Sequence, residues 1–193
     1  MNICIFGASS RSLDEIYYTE AEKFGLLMAR HGHTLVFGGG TGGIMGAVAR
    51  GVHEGGGEII GIAPRFFDEP GILYPDCTEF IYTDTMRERK QLMEEKSDAT
   101  VVLPGGIGTY EEFFEILTLK QLGKTRRAIV LLNTEGFFGP MQALMEHTAT
   151  EKFMSSKCLN IYDLVDTPEQ AVEAVERYVP RNLDPKSLKH YSD

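Results

Sequence analysis

The sequence predicts an α/β protein built on a doubly wound parallel sheet with helices on both faces. Three observations carry this. Short apolar runs of strand length alternate with runs of helical spacing along almost the whole chain. Several strand runs are apolar at every position rather than at every second one, as strands covered on both faces read. Two strand-to-helix junctions are glycine-rich, at 38–46 and 105–108. In open parallel sheets such junctions lie at the carboxyl edge, where ligands bind.

Residues 2–7 read as a buried strand. Ser12-x-x-Glu15 reads as a cap for the next helix, which places Ile16, Phe24, Leu27 and Met28 on one face and ends at Gly32. Residues 34–37 form the second strand, and a small-residue helix follows to about Glu54. Residues 58–63 are the third strand, and the segment 64–77, with three prolines, is a loop. Residues 79–82 are a short strand, and Thr85-x-x-Glu88 caps a charged helix to about Ser97. Strands at 99–103 and 128–132 flank a helix that runs through 113–122. Residues 141–151 are helical and 160–165 are a last strand. Thr167-Pro168-x-Gln170 then opens a last helix with proline at its first position. Residues 1–180 are expected to form one domain, and 181–193 a polar, frayed tail.

Composition narrows the function. A formal net charge of −9 argues against general binding to nucleic acid or anionic membranes. A phosphate-bearing ligand therefore needs local cations and backbone amides. The three cysteines, Cys4, Cys77 and Cys158, are scattered and form no CxxC or disulfide framework, which fits a reducing cytoplasm. The N-terminus has no basic n-region, and no apolar run approaches the ~20 residues of a membrane span.

The run Leu103-Pro104-Gly105-Gly106-Ile107-Gly108-Thr109-Tyr110-Glu111-Glu112 carries the most chemistry. Its glycines bring bare N–H groups close to a ligand, and the helix start behind them favours an anion. Glu112 sits one turn into that helix, as an acid, base or nucleophile beside a bound phosphate would. Thr109-x-x-Glu112 is equally a formal capping box, and the pattern alone leaves both readings open. The cluster 38–46 lacks the lysine of a Walker loop, so it is either a phosphate loop or a close helix–sheet contact. Arg89 falls between Met86 and Met93 on one helix face, either as a snorkelling or ion-paired surface residue or as a buried functional one. Ser9 and Ser10, after the first strand, are candidate ligand donors. His31-Gly32-His33 suggests a metal pair, but the other histidines are remote and no carboxylate has a fitting spacing, so no metal site is expected.

Three motifs occur together and in order: Gly38-Gly39-Gly40-x-x-Gly43-Ile44-Met45-Gly46, Met86-x-x-Arg89-Lys90, and Pro104-Gly105-Gly106-x-Gly108-Thr109-x-x-Glu112. With them the chain resembles the LOG ("lonely guy") family of cytokinin-activating phosphoribohydrolases, many of which carry the label "possible lysine decarboxylase". The resemblance covers roughly residues 2–180. It implies a Rossmann-like sheet, a homodimer, and hydrolysis of the N-glycosidic bond of adenosine-type 5′-monophosphates to free base and ribose 5-phosphate. It makes Arg89 and Glu112 the catalytic pair. Gly105, Gly106, Gly108 and Thr109 become the phosphate turn, with Ser9, Gly39, Gly43, Met86 and Lys90 in the substrate-binding set. It implies an AMP-type nucleotide as partner and no cofactor. The first turn, Gly7-Ala8-Ser9-Ser10-Arg11, departs from the usual Cys-Gly-Ser-Ser, and Leu119 stands where tryptophan is frequent. Neither departure touches the catalytic pair. A non-catalytic nucleotide- or cofactor-binding module remains the alternative. Pyridoxal-dependent lysine decarboxylation is disfavoured, because neither Lys90 nor Lys120 has the context of a Schiff-base lysine.

Overall fold

A computed structural model describes residues 1–180 and 187–188. Seven strands form one all-parallel sheet: β1 (Asn2–Phe6), β2 (Thr34–Phe37), β3 (Ile59–Pro64), β4 (Glu79–Thr83), β5 (Ala99–Val102), β6 (Ala128–Leu132) and β7 (Asp163–Val165). Their spatial order is β4-β3-β2-β1-β5-β6-β7. The chain moves outward from β1 to β4 and then returns to place β5 beside β1, with Ile3 opposite Ala99 and Phe6 opposite Val102. The point where the order reverses, between β1 and β5, is where a crevice opens at the carboxyl edge.

Among the described residues six α-helices cover the sheet: α1 (Glu15–Arg30), α2 (Gly43–Glu54), α3 (Met86–Glu95), α4 (Ile107–Gln121), α5 (Gly139–Thr150) and α6 (Pro168–Glu176). Successive strand side chains point to opposite faces, and the core divides accordingly. Ile3, Ile5, Leu35, Phe37, Val101 and Val130 pack with Phe24 and Met28 of α1, Val48 of α2 and Val172 of α6. Cys4, Phe6, Val36, Val102 and Leu131 pack on the other side with Met93 of α3, Phe113 and Leu117 of α4 and Met141 of α5. The doubly wound sheet covered on both faces is thus the observed architecture.

Most element boundaries fall within two residues of the sequence reading, and the departures have physical causes. Asp14, not Ser12, is the cap residue of α1, and no side chain closes that cap. Ile16 is consequently outside the buried stripe, which runs through Ala21, Phe24, Gly25 and Met28. The last strand begins at Asp163, because residues 156–160 close into a 3₁₀ turn instead. The caps at Thr85 and Thr167 form as the pattern predicts, the second as a full capping box with Gln170. The frayed tail expected at 181–193 lies almost wholly outside the described residues. Within it, Leu188 is buried in the core on the α4 side, and its carbonyl accepts from Gln121 Nε2 at 3.2 Å.

Among the described residues no helix is long and apolar enough to cross a membrane.

Candidate active site

The carboxyl edge of the sheet holds a cavity of about 580 Å³ at the reversal point. The loop after β1 supplies Ala8, Ser9 and Ser10, the loop after β2 supplies Gly38 and Gly40, and the start of α4 supplies Gly106 to Thr109 and Glu112. Backbone bonds lock these segments together. Ala8 N–H donates to Pro104 O at 3.0 Å, and Ile44 N–H donates to Ala8 O at 2.8 Å.

The capping-box reading of Thr109 and Glu112 is not what forms. The cap residue of α4 is Gly106, so Thr109 is its third helical residue and Glu112 lies a turn deeper. Glu112 instead meets Arg89. Arg89 Nη1 donates to Glu112 Oε1 at 3.1 Å, and Arg89 Nε donates to Ile62 O at 3.3 Å. Both side chains are buried, Arg89 at 7 % exposure and Glu112 at 9 %, yet both line the cavity. This excludes the surface-charge reading of Arg89. Burial pushes the Glu112 carboxyl above its ordinary pKa, and the Arg89 guanidinium pulls it back only in part.

An arginine fits there because Gly38 has no side chain. A Cβ at position 38 would lie 2.1 Å from Arg89 Nη2. The first glycine of the 38–46 cluster is therefore a seat for the guanidinium. The remaining glycines serve mainly packing. Gly39 and Gly43 adopt positive φ, and a Cβ on Gly43 would stand 2.2 Å from Ala8 O. Neither is among the residues that line the cavity. The Gly39 carbonyl accepts from Tyr74 N–H at 2.7 Å, fixing the 64–77 loop over the site.

The residues of the 105–109 turn divide between two tasks. An α-helix leaves its first N–H groups without intrahelical partners. In α4 these belong to Gly106, Ile107, Gly108 and Thr109. Gly105 lies behind them, and its bare Cα makes room for the Thr109 side chain, since a Cβ there would be 2.1 Å from Oγ1. One residue along a helix turns the Lys90 side chain about 100° from Arg89. Lys90 Nζ bridges Glu111, at the cavity rim, and Glu115 of α4, so those carboxylates are paired rather than merely solvated.

Ser9 and Met86 do line the cavity. Sequence reasoning missed the apolar part of the lining, Met45, Phe67, Ile72 and Leu73. Phe67 and Ile72 come from the proline-containing loop, which showed no periodicity to assign.

The sequence matches the family described as "Possible lysine decarboxylase" over residues 45–175. It is 34% identical over 182 residues to the cytokinin riboside 5′-monophosphate phosphoribohydrolase LOG2 of Arabidopsis thaliana, covering 94% of this chain and 85% of that protein. It is 33% identical to the phosphoribohydrolase LOG of Oryza sativa subsp. japonica, covering 92% of this chain and 74% of that protein. The chain belongs to the LOG family. The matched segment contains Arg89 and Glu112 together with the whole 104–112 turn.

Among solved structures, the molybdenum cofactor carrier protein of Chlamydomonas reinhardtii superposes with a TM-score of 0.71 at 23% identity, over 91% of this chain and 96% of that one. The molybdenum cofactor binding protein of Rippkaea orientalis gives 0.67 at 21%, over 91% and 93%. At that identity the likeness is one of fold, and it gives this LOG-family chain the Rossmann-like architecture it was expected to have.

Proposed function

We propose that the protein hydrolyses the N-glycosidic bond of adenosine-type 5′-monophosphates, N6-modified ones included, releasing the free base and ribose 5-phosphate. The observation that carries this reading is the buried Arg89–Glu112 pair opening onto the same cavity as the amino end of α4. The 5′-phosphate sits on the N–H groups of Gly106, Ile107, Gly108 and Thr109, whose dipole end favours an anion. That places the ribose over Glu112. Leaving of the base makes the sugar oxocarbenium-like. Glu112 meets that charge as stabiliser, nucleophile or base for water, and all three roles need the ionised carboxylate. Arg89 holds the carboxylate in place and favours its ionised form, opposing the effect of burial. The apolar wall of Met45, Phe67, Ile72 and Leu73 receives the base and its substituent. No cofactor enters this chemistry.

A binding module without catalysis is the second reading, favoured by the fold shared with the cofactor carriers. A carrier has no use for a carboxylate held at a raised pKa beside an arginine, so the enzyme is the better reading. Lysine decarboxylation by a pyridoxal aldimine does not fit, because no lysine lines the cavity among the described residues.

The deciding experiment is chromatographic detection of free adenine from AMP and of free base from N6-prenylated AMP. The corresponding nucleosides are expected to react with kcat/KM lower by about 10²-fold or more, because binding energy at the remote phosphate positions the reacting bond. Equal kcat/KM for nucleoside and nucleotide would remove the phosphate from the α4 terminus.

The protein is proposed to act as a cytoplasmic homodimer. Phe114 of α4 and Leu122, the residue that caps its carboxyl end, are exposed, as are Leu144 and Phe153 beyond them in sequence. Light scattering at micromolar concentration is expected to return the mass of two chains, and a monomer mass would count against the assignment.

A further inference from the structure

At the opposite edge of the sheet from the cavity, three side chains far apart in sequence converge. His31 is the cap residue at the carboxyl end of α1, His33 immediately precedes β2, and Glu176 is the last residue of α6. His31 Nδ1 lies 3.0 Å from Glu176 Oε1, and His33 Nε2 lies 3.1 Å from the same oxygen. One ligand atom from each of the three residues falls within 4.8 Å of the others. The intervening glycine makes this possible. Gly32 adopts φ +73, its N–H donates to Ala29 O, and His33 N–H donates to Met28 O. That left-handed helix termination turns the chain back on itself. It brings both imidazoles to a carboxylate that the sequence spacing did not reveal.

We propose that His31, His33 and Glu176 form a binding site for a divalent transition-metal ion of the zinc type, with solvent completing the coordination shell. The donor set, two imidazole nitrogens and one carboxylate oxygen, is one such ions take. Tetrahedral ligands at zinc bond lengths stand about 3.4 Å apart, so the two observed separations to Glu176 are already near what an ion needs. Two helices, α1 and α6, end at the site. Their carboxyl ends carry partial negative charge and favour a cation there. A bound ion would tie the start of β2 to the ends of α1 and α6, joining positions 143 apart in the chain. Its role is structural, since the cavity with Arg89 and Glu112 lies at the other end of the strands.

The test uses the untagged full-length chain, stripped with a chelator and titrated with Zn²⁺ and separately with Co²⁺. One ion per chain is expected, with the intense visible absorption of low-coordinate Co²⁺ and a rise in Tm on adding Zn²⁺. His31→Ala and Glu176→Gln are each expected to weaken Zn²⁺ binding by about ten-fold or more and to abolish the Tm rise. His31 is exposed and Glu176→Gln keeps its shape, so both variants should fold, which their metal-free melting curves check. His53→Ala and His147→Ala should bind as the unmodified protein does. Base release from AMP should be equal in His31→Ala and the unmodified protein, which separates this site from the proposed reaction. No saturable uptake at about 100 µM Zn²⁺, or unchanged affinity in both His31→Ala and Glu176→Gln, would reduce the cluster to a hydrogen-bonded latch and overturn the proposal.

Discussion

Glu112→Gln is expected to lower kcat for base release by about 10²-fold or more, the scale of losing a positioned catalytic group, while the protein stays folded. Glutamine keeps the shape and can still accept the hydrogen bond that Arg89 Nη1 donates at 3.1 Å. It cannot carry the negative charge that every role proposed for Glu112 requires. Two opposing effects bear on stability. Removing the carboxylate leaves the buried Arg89 charge without its counter-ion, which destabilises. It also removes a charge that burial disfavours, since the Glu112 pKa is raised in the folded chain. A carboxyl raised on folding contributes its stability below its unfolded pKa and loses it as pH rises through the folded value. Above that folded value the unmodified protein bears the cost of ionising Glu112, and the glutamine variant does not. The net change is expected to stay within about 2 kcal/mol, read by thermal melting.

The same raised pKa has a consequence for rate. In the proposed reaction only the ionised form acts, so kcat/KM is expected to fall on the acid side through a pKa above the ordinary carboxylate value, with Glu112 as the titrating group. Full activity in Glu112→Gln would leave this residue a structural anchor for Arg89 and nothing more.

The sheet and its helices were legible because periodicity is local. Runs such as Ile3 to Phe6 and Ile129 to Leu132 are apolar throughout, and both faces of each are buried. Caps were legible where a side chain makes them, at Thr85 and Thr167, and illegible where glycine makes them. Gly106 caps α4 without any side-chain bond, so the pattern Thr109-x-x-Glu112 drew the eye to a cap three residues too late. Partners across the fold were legible only through family resemblance. Arg89 and Glu112 stand 23 residues apart on different helices, with nothing in either local sequence to announce the pairing. Lys90, next to Arg89 in sequence, engages Glu111 and Glu115 rather than Glu112, because adjacency in sequence is not adjacency on a helix face. The His31-Gly32-His33 pair was visible, but its carboxylate partner Glu176 was not, their meeting depending on how α6 returns across the sheet.

Arg89→Lys is the substitution that asks most of the geometry. Lysine retains the charge, so a residue acting as a surface ion-pair partner would lose within ~1 kcal/mol. Arg89 does more than carry charge. Its Nε donates to the Ile62 carbonyl, its Nη1 to Glu112, and its Nη2 lies against the bare Cα of Gly38. A planar fork makes these engagements at once and leaves donors for ribose oxygens, whereas an ammonium is a single compact centre on a flexible stem. Lysine at this position either abandons the Ile62 carbonyl or fails to orient Glu112. Misplacing a catalytic carboxylate by about 1 Å costs on the order of 10²-fold, and a loss of that size in kcat/KM is expected for Arg89→Lys. Arg87→Lys is the control. Arg87 is on the same helix but exposed, and its replacement should leave kcat/KM near that of the unmodified protein. If both variants show the same small loss, the fork has no special function, and Arg89 ceases to be a catalytic partner of Glu112 whatever their 3.1 Å contact suggests.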